Sequence, residues 1–259
     1  MTIAGASYMT SIGALVAAQY VTFSERVIPM TRTGNPTIRI HYFTEGHEGS
    51  TTLWGQSEGR AHIVKLCDYL VEHAPRLGFW GANEPVANLL EHRVSGQLIP
   101  AKAEGQNAYR AEQSCAYVYS AKATPNDEPL KALFGLTDEQ IQVSRQDNDV
   151  LQFAMRGAIR NPDYGGEYDI YLYSRSQAER LRDQLLGSQI GDVELLPADA
   201  GFLHASRVLD ERAKPRAETA ISRSGRKVKA ASAKKSERRH AKALAAGRQP
   251  GRVGRPKKG

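Results

Sequence analysis

Two hydrophobic periods alternate along the chain. Residues 37–43, T-I-R-I-H-Y-F, repeat every second position and predict a strand. Residues 61–73, A-H-I-V-K-L-C-D-Y-L-V-E-H, place Ile63, Leu66, Cys67 and Leu70 on one helical stripe, with Pro75 just beyond the expected end. Short apolar runs at 2–6, 77–81, 116–120 and 168–173 read as further strands. Helical spacing recurs at 10–19, 86–92, 138–160 and 176–186. The Gly-, Ser- and Thr-rich residues 44–59 and the Pro-containing residues 124–129 read as loops. Strands alternating with helices predict an α/β fold, with a mostly parallel sheet flanked by helices.

One helical stretch carries more than packing. Within residues 143–161, Val150, Leu151, Ala154, Ala158 and Ile159 are the apolar positions, and Gln152, Arg156 and Arg160 recur every four residues. On a continuous helix those three project from one face. Asn161 precedes Pro162 and ends the pattern, because a proline disfavours helical geometry in the residue before it. Two readings stand side by side. The face is a solvated one with ordinary surface arginines, or it holds a phosphate or carboxylate in the forked geometry of guanidinium groups.

Composition bounds the class. A chain of 259 residues fits one large domain, or one domain with appendages, and 41% hydrophobic residues allow a sizeable core. Cys67 and Cys115 are too far apart in sequence to suggest a disulfide framework or a metal-ligand pair, so a reducing compartment is expected. The seven histidines form no H-E-x-x-H and no pairing with cysteine, and no metal site is expected. The first twenty residues are apolar but lack a basic leader and are interrupted by Ser7, Tyr8, Thr10 and Ser11. They suit neither a signal peptide nor a membrane span, and a cytoplasmic protein without a membrane partner is the expectation.

Charge is segregated. Residues 211–259 hold 17 Lys or Arg against 3 Asp or Glu, a local +14; the whole chain is +7, so residues 1–210 carry +7 − 14 = −7. Between 213 and 246 the larger aliphatics are Ile221, Val228 and Leu244, too few to offset the entropy of ordering, so the basic tail is expected to be disordered when free. It is a solubilising tail, or it binds a polyanion, with DNA favoured over RNA. In the second case the contacts come from Arg226, Lys227, Lys234, Lys235, Arg238, Arg239, Arg255, Lys257 and Lys258. The closing G-R-P-K-K at 254–258 resembles half of an AT-hook, but Val253 stands where a second basic residue often flanks the glycine, and it reads as generic basic tail. Of the aromatics, Trp80 is assigned to the core. Tyr109, beside Arg110, is the better candidate for stacking on a base.

Two segments line up in an informative order. Glu104-Gly105-Gln106-Asn107 follows a strand candidate, and Gln152, Arg156 and Arg160 precede another. In this order and separation they resemble motifs V and VI of a superfamily 2 helicase, of phage or plasmid type. Residues 3–8 stand where motif III would, with a weaker match, and the strand–helix pair Y-D-I-Y-L-Y-S-R-S-Q-A-E-R-L suits the end of such a motor domain. The resemblance spans roughly residues 3–186, its sharp part being the two short motifs. It implies a RecA-like second lobe, with Arg156 nearest the γ-phosphate of ATP, Arg160 a second finger or a link to the facing lobe, and Gln152 orienting water or phosphate. Gly105 would allow close backbone approach and Asn107 would bond the ribose or bridge to motif VI. A plain turn is the competing account of Gly105 and Asn107.

The departures are equally clear. In the common Q-R-x-G-R-x-G-R pattern the last arginine follows its predecessor by three residues; here the gap is four, and Phe153 and Met155 replace the usual arginine and glycine. The chain contains no G-x-x-x-x-G-K-[ST] and no D-E-x-[HD] run. ATP and Mg²⁺ are therefore expected only where a first lobe is supplied, by a separate protein or a longer chain, and no hydrolysis is expected from this chain alone. The organisation implied is an N-terminal strand, helix and loop region at 1–60 (open to reading as the remnant of a first lobe), a helicase-like α/β domain at 61–205, and the basic tail at 206–259. From another class comes a non-enzymatic DNA- or RNA-binding protein with an α/β interaction module. A nuclease lacks its carboxylate cluster here.

Overall fold

The computed structural model describes residues 8–24, 31–101 and 108–206. The chain divides into two units, Met1–Ser206 and Arg207–Gly259; the second lies outside the described residues, and so do the expected strand at 2–6 and the segment holding Gly105 and Asn107. In chain order the elements are α1 (Ile12–Ala17), β1 (Thr37–Thr44), α2 (Thr51–Trp54), α3 (Ser57–His73), β2 (Phe79–Ala82), α4 (Glu84–Leu90) and β3 (Gln97–Leu98). They continue with β4 (Ser114–Val118), α5 (Glu128–Phe134), α6 (Asp138–Gln142), α7 (Asn148–Ala154), β5 (Glu167–Ser174), α8 (Arg175–Gly187) and β6 (Asp192–Pro197). A π turn, Val143–Asp147, joins α6 to α7.

The strands form one sheet in the order β3-β2-β4-β5-β1-β6, and every pairing is parallel. This is an α/β fold. A parallel sheet needs cover on both faces, so its inner strands are apolar on both sides. In β5, Tyr168, Ile170 and Leu172 enter one core with Phe153 and Leu181 from α7 and α8, while Tyr171 and Tyr173 enter the other with α3. The stripe predicted on α3, Ile63, Leu66, Cys67 and Leu70, is wholly buried in that second core.

Four departures from the sequence pattern have local causes. First, the expected loop at 44–59 contains α2 and the first turn of α3. Ser50 caps α2 by accepting from the Leu53 amide at 3.1 Å, and Gly59 lets α3 begin against α2, since a Cβ there would stand 2.0 Å from the Leu53 carbonyl oxygen. Second, β6 is absent from the predicted strands because Asp192, Glu194 and Pro197 break its apolar pattern; it is held as an edge strand beside β1, with Ile38 opposite Val193 and Ile40 opposite Leu195. Third, β4 stops at Val118 because the Ser120 amide leaves the sheet to donate to Asn83 Oδ1 at 2.7 Å. Fourth, a boundary after residue 60 does not divide the body: β1 lies between β5 and β6, so residues 37–60 are integral to the same sheet domain. Among the described residues no helix is long and apolar enough to cross a membrane.

Phe153 anchors α7 to the sheet, stacking on Tyr117 at 4.1 Å between ring centroids and packing on Phe79 at 5.2 Å. Phe153→Ala is expected to cost about 3–5 kcal/mol of stability, read as a lowered urea midpoint with an unchanged slope. A loss under about 1 kcal/mol would mean that the ring is not part of a close-packed core.

Candidate functional site

The helix bearing Gln152 ends sooner than its apolar pattern suggests. Residues 138–154 are helical, but the turn after Ala154 leaves the α-helical path and residues 158–160 form a separate 3₁₀ turn. The Ala154 carbonyl, the α-helical partner of the amide at position 158, accepts from the Tyr168 hydroxyl at 3.0 Å and from the Gly157 amide at 3.4 Å. The Ala158 amide donates instead to the Glu112 carbonyl at 2.8 Å. Gly157 fits against Tyr168, where a Cβ would stand 2.1 Å from the phenol oxygen. Gln152, Arg156 and Arg160 thus do not share one helical face, which corrects the spacing argument.

The consequence differs for each residue. Gln152 and Arg160 are exposed, whereas Arg156 is only 8% exposed. Its guanidinium carbon lies 5.6 Å from the centre of the Phe153 ring, and Nη1 is buried without a hydrogen-bond partner. Among the described residues no carboxylate forms an ion pair with it. Burial pulls the Arg156 pKa down, while the nearby Tyr117, Tyr109 and Asp149 side chains oppose that shift. A buried guanidinium with an unmet donor is costly to keep, and an anion would relieve that cost.

The surroundings of Arg156 also gather the residues that flank 102–107. The Tyr117 hydroxyl donates to the Ala101 carbonyl at 3.3 Å, and Tyr109 packs on Phe79 at 5.1 Å. Ala101 and Tyr109 therefore both join the core that holds Phe153. Tyr109 is buried, so its ring is not presented for stacking on a base, a correction to the sequence reading; Arg110 is exposed. Trp80 is core, as expected. The basic residues from Arg226 to Lys258 lie outside the described residues.

A second constellation was missed by the sequence reading. The connections β1 to β2 and β5 to β6 leave the sheet in opposite directions, so the carboxyl ends of β1 and β5 bound a topological switch point, where open α/β sheets characteristically bind ligands. Glu48, just after β1, fills this place. Its carboxylate accepts from Ser176 Oγ at 2.7 Å, Gln142 Nε2 at 2.9 Å, Lys122 Nζ at 3.0 Å and Arg180 Nη1 at 3.4 Å. Arg180 Nε also donates to Asp147 Oδ1 at 3.0 Å; Asp147 is the last residue of the π turn and Gln142 immediately precedes it. Two acids and two bases face one another and tie the β1 loop to α8, with Arg180 Nη2 left buried without a hydrogen-bond partner. The only sequence signal was positional: polar residues directly after two apolar strands.

Among the described residues neither a metal-ligand cluster nor an exposed thiol is found. No group of three or more His, Cys, Asp or Glu is arranged to hold a metal ion. Cys67 and Cys115 are free and buried, and burial pushes the Cys115 thiol up to about 12. No protein-family model matches the chain, and no curated protein or solved structure matches it.

Burial alone would raise the Glu48 carboxyl, but its hydrogen bonds from Gln142, Ser176 and Lys122 outweigh this and hold it down at about 2. An unfolded glutamate titrates near about 4.3, so this stabilisation is complete above that value and is lost as pH falls toward the folded one. Glu48→Gln is expected to lower stability at neutral pH and flatten the stability curve between about pH 5 and pH 2. Denaturant titrations across that range check it; parallel curves for the two proteins would refute it.

Proposed function

We propose that the protein is a nucleic-acid-associated, helicase-like component whose α/β domain serves as a second motor lobe. In this reading Arg156 contacts a phosphate of ATP held against a first lobe supplied by another polypeptide or chain segment, which also brings Mg²⁺. The basic residues beyond 206 hold nucleic acid, with DNA favoured. One observation carries the reading: the Arg156 guanidinium is buried with Nη1 unpartnered and, among the described residues, in no ion pair. Its support from chain order is the resemblance to motifs V and VI, and the all-parallel sheet is compatible with a RecA-like lobe. The exposed Gln152 and Arg160 would meet the nucleotide or the facing lobe from the surface.

A second reading rests on the charge segregation, −7 over residues 1–210 against +14 over 211–259, and on the missing phosphate-cradling loop. It is a non-enzymatic DNA- or RNA-binding protein whose α/β domain docks a partner. Here Arg156 is a structural arginine, and nucleotide plays no part.

Two measurements on the full-length chain separate the readings. ATP with Mg²⁺, titrated into the millimolar range by equilibrium dialysis, is expected to bind weakly, and Arg156→Gln to weaken it by about 10-fold or more, the scale of one hydrogen bond to a charged group. Fluorescence anisotropy with a single-stranded DNA oligonucleotide is expected to show affinity that falls steeply with salt. Replacing Lys234, Lys235, Arg238 and Arg239 by alanine should reduce that salt slope by roughly 0.7 for each phosphate that the variant no longer neutralises. DNA binding with ATP affinity indifferent to Arg156 would leave the plain binder; salt-insensitive DNA binding would remove the role given to the basic tail.

A further inference from the structure

We infer that Tyr168 is a positioning residue for Arg156: its hydroxyl secures the turn that follows α7, in which the arginine is buried. The inference rests on the phosphate-contact reading of Arg156 and adds to it the group that sets the arginine in place. Residue 156 follows the exposed Gln152 by four positions, so a helix continued past Ala154 would set Arg156 directly beside it on the solvent face. The side chain is instead 8% exposed and packed over Phe153. What separates the two outcomes is the turn after Ala154, where the Arg156 amide donates to the Phe153 carbonyl at 3.2 Å and the Gly157 amide to the Ala154 carbonyl at 3.4 Å in place of α-helical bonds.

Tyr168 is fully buried in β5, fixed by parallel pairing opposite Ile38. From that fixed point its hydroxyl reaches the Ala154 carbonyl at 3.0 Å. The amide that would have claimed this carbonyl in a continued helix, that of Ala158, is diverted to Glu112 at 2.8 Å. Gly157 leaves room for the phenol, which any Cβ would strike at 2.1 Å. The hydroxyl, the missing side chain at 157 and the Glu112 carbonyl therefore act together, and the Tyr168 hydroxyl is the one that can be removed without changing shape. Tyr168 touches no ligand in this scheme. It acts through Arg156.

A double-mutant cycle tests the inference on the full-length chain, with ATP and Mg²⁺ as the probe: wild type, Arg156→Gln, Tyr168→Phe and the double variant. Tyr168→Phe is expected to weaken ATP binding by roughly five-fold or more in the wild-type background and to have no further effect beside Arg156→Gln, because both act through one guanidinium. Gly157→Ala, which presses on the same hydroxyl, should reproduce the loss with Tyr168 intact. Chemical denaturation of each variant confirms that folded protein is compared. An equal loss in both backgrounds makes Tyr168 merely structural and overturns the inference, as does unchanged affinity in Tyr168→Phe where Arg156→Gln is impaired. Unchanged affinity in Arg156→Gln itself overturns the underlying reading, and the inference with it.

Discussion

The domain depends on β1 being gripped from both sides. Parallel pairing to β5 on one flank and β6 on the other places an early strand deep in the sheet. Because parallel neighbours cannot be joined by tight turns, every connection must cross a face. The crossover from β1 sends α3 to one face, and that from β5 sends α8 to the other, with a separate aromatic-rich core on each side. The same divergence opens the place between the ends of β1 and β5, which Glu48 closes by joining the loop, the π turn and α8. Fold and candidate chemistry thus share one origin, the path the chain takes out of β1.

Much of this architecture was legible in local pattern. The alternation of 37–43, the stripe of 61–73 and the apolar run at 168–173 correspond to β1, α3 and β5, because burial there is continuous and leaves a periodic trace. What was hidden depends on partners distant in sequence. β6 is amphipathic only in relation to β1. The first turns after residue 50 look like loop by composition, and are helical because Ser50 caps one helix and Gly59 permits the close approach of the next. The end of α7 was the hardest to foresee. Between 152 and 160 Gly157 alone disfavours a helix by propensity, and the turn it permits is held by Tyr168, a residue that the apolar pattern assigned simply to a strand.

The candidate site was legible in part for a related reason. Arg156 stood out through spacing and resemblance, yet the spacing argument treated three residues as equals on one face. The structure distributes them: Gln152 and Arg160 exposed, Arg156 enclosed. An exposed arginine is weakly informative, since water satisfies it. A buried guanidinium with an unmet donor is more so, because the protein bears its desolvation with no ion-paired carboxylate among the described residues. The Glu48 cluster makes the opposite case. It occupies the position in the fold most often used for ligands, but its acids and bases are already ion-paired, and its geometry speaks for holding a loop in place.

The two margins of the sheet bear on how another protein can meet this one. At one margin β3 is two residues long; at the other, β6 carries exposed Asp192 and Glu194 and ends in Pro197. Short, charged and proline-ended strands resist pairing with a foreign strand. Any protein that joins this domain is therefore steered away from extending its sheet and toward its loops and helices. Assembly by that route is side chain against side chain, so it can form and separate without the backbone of either protein being rebuilt.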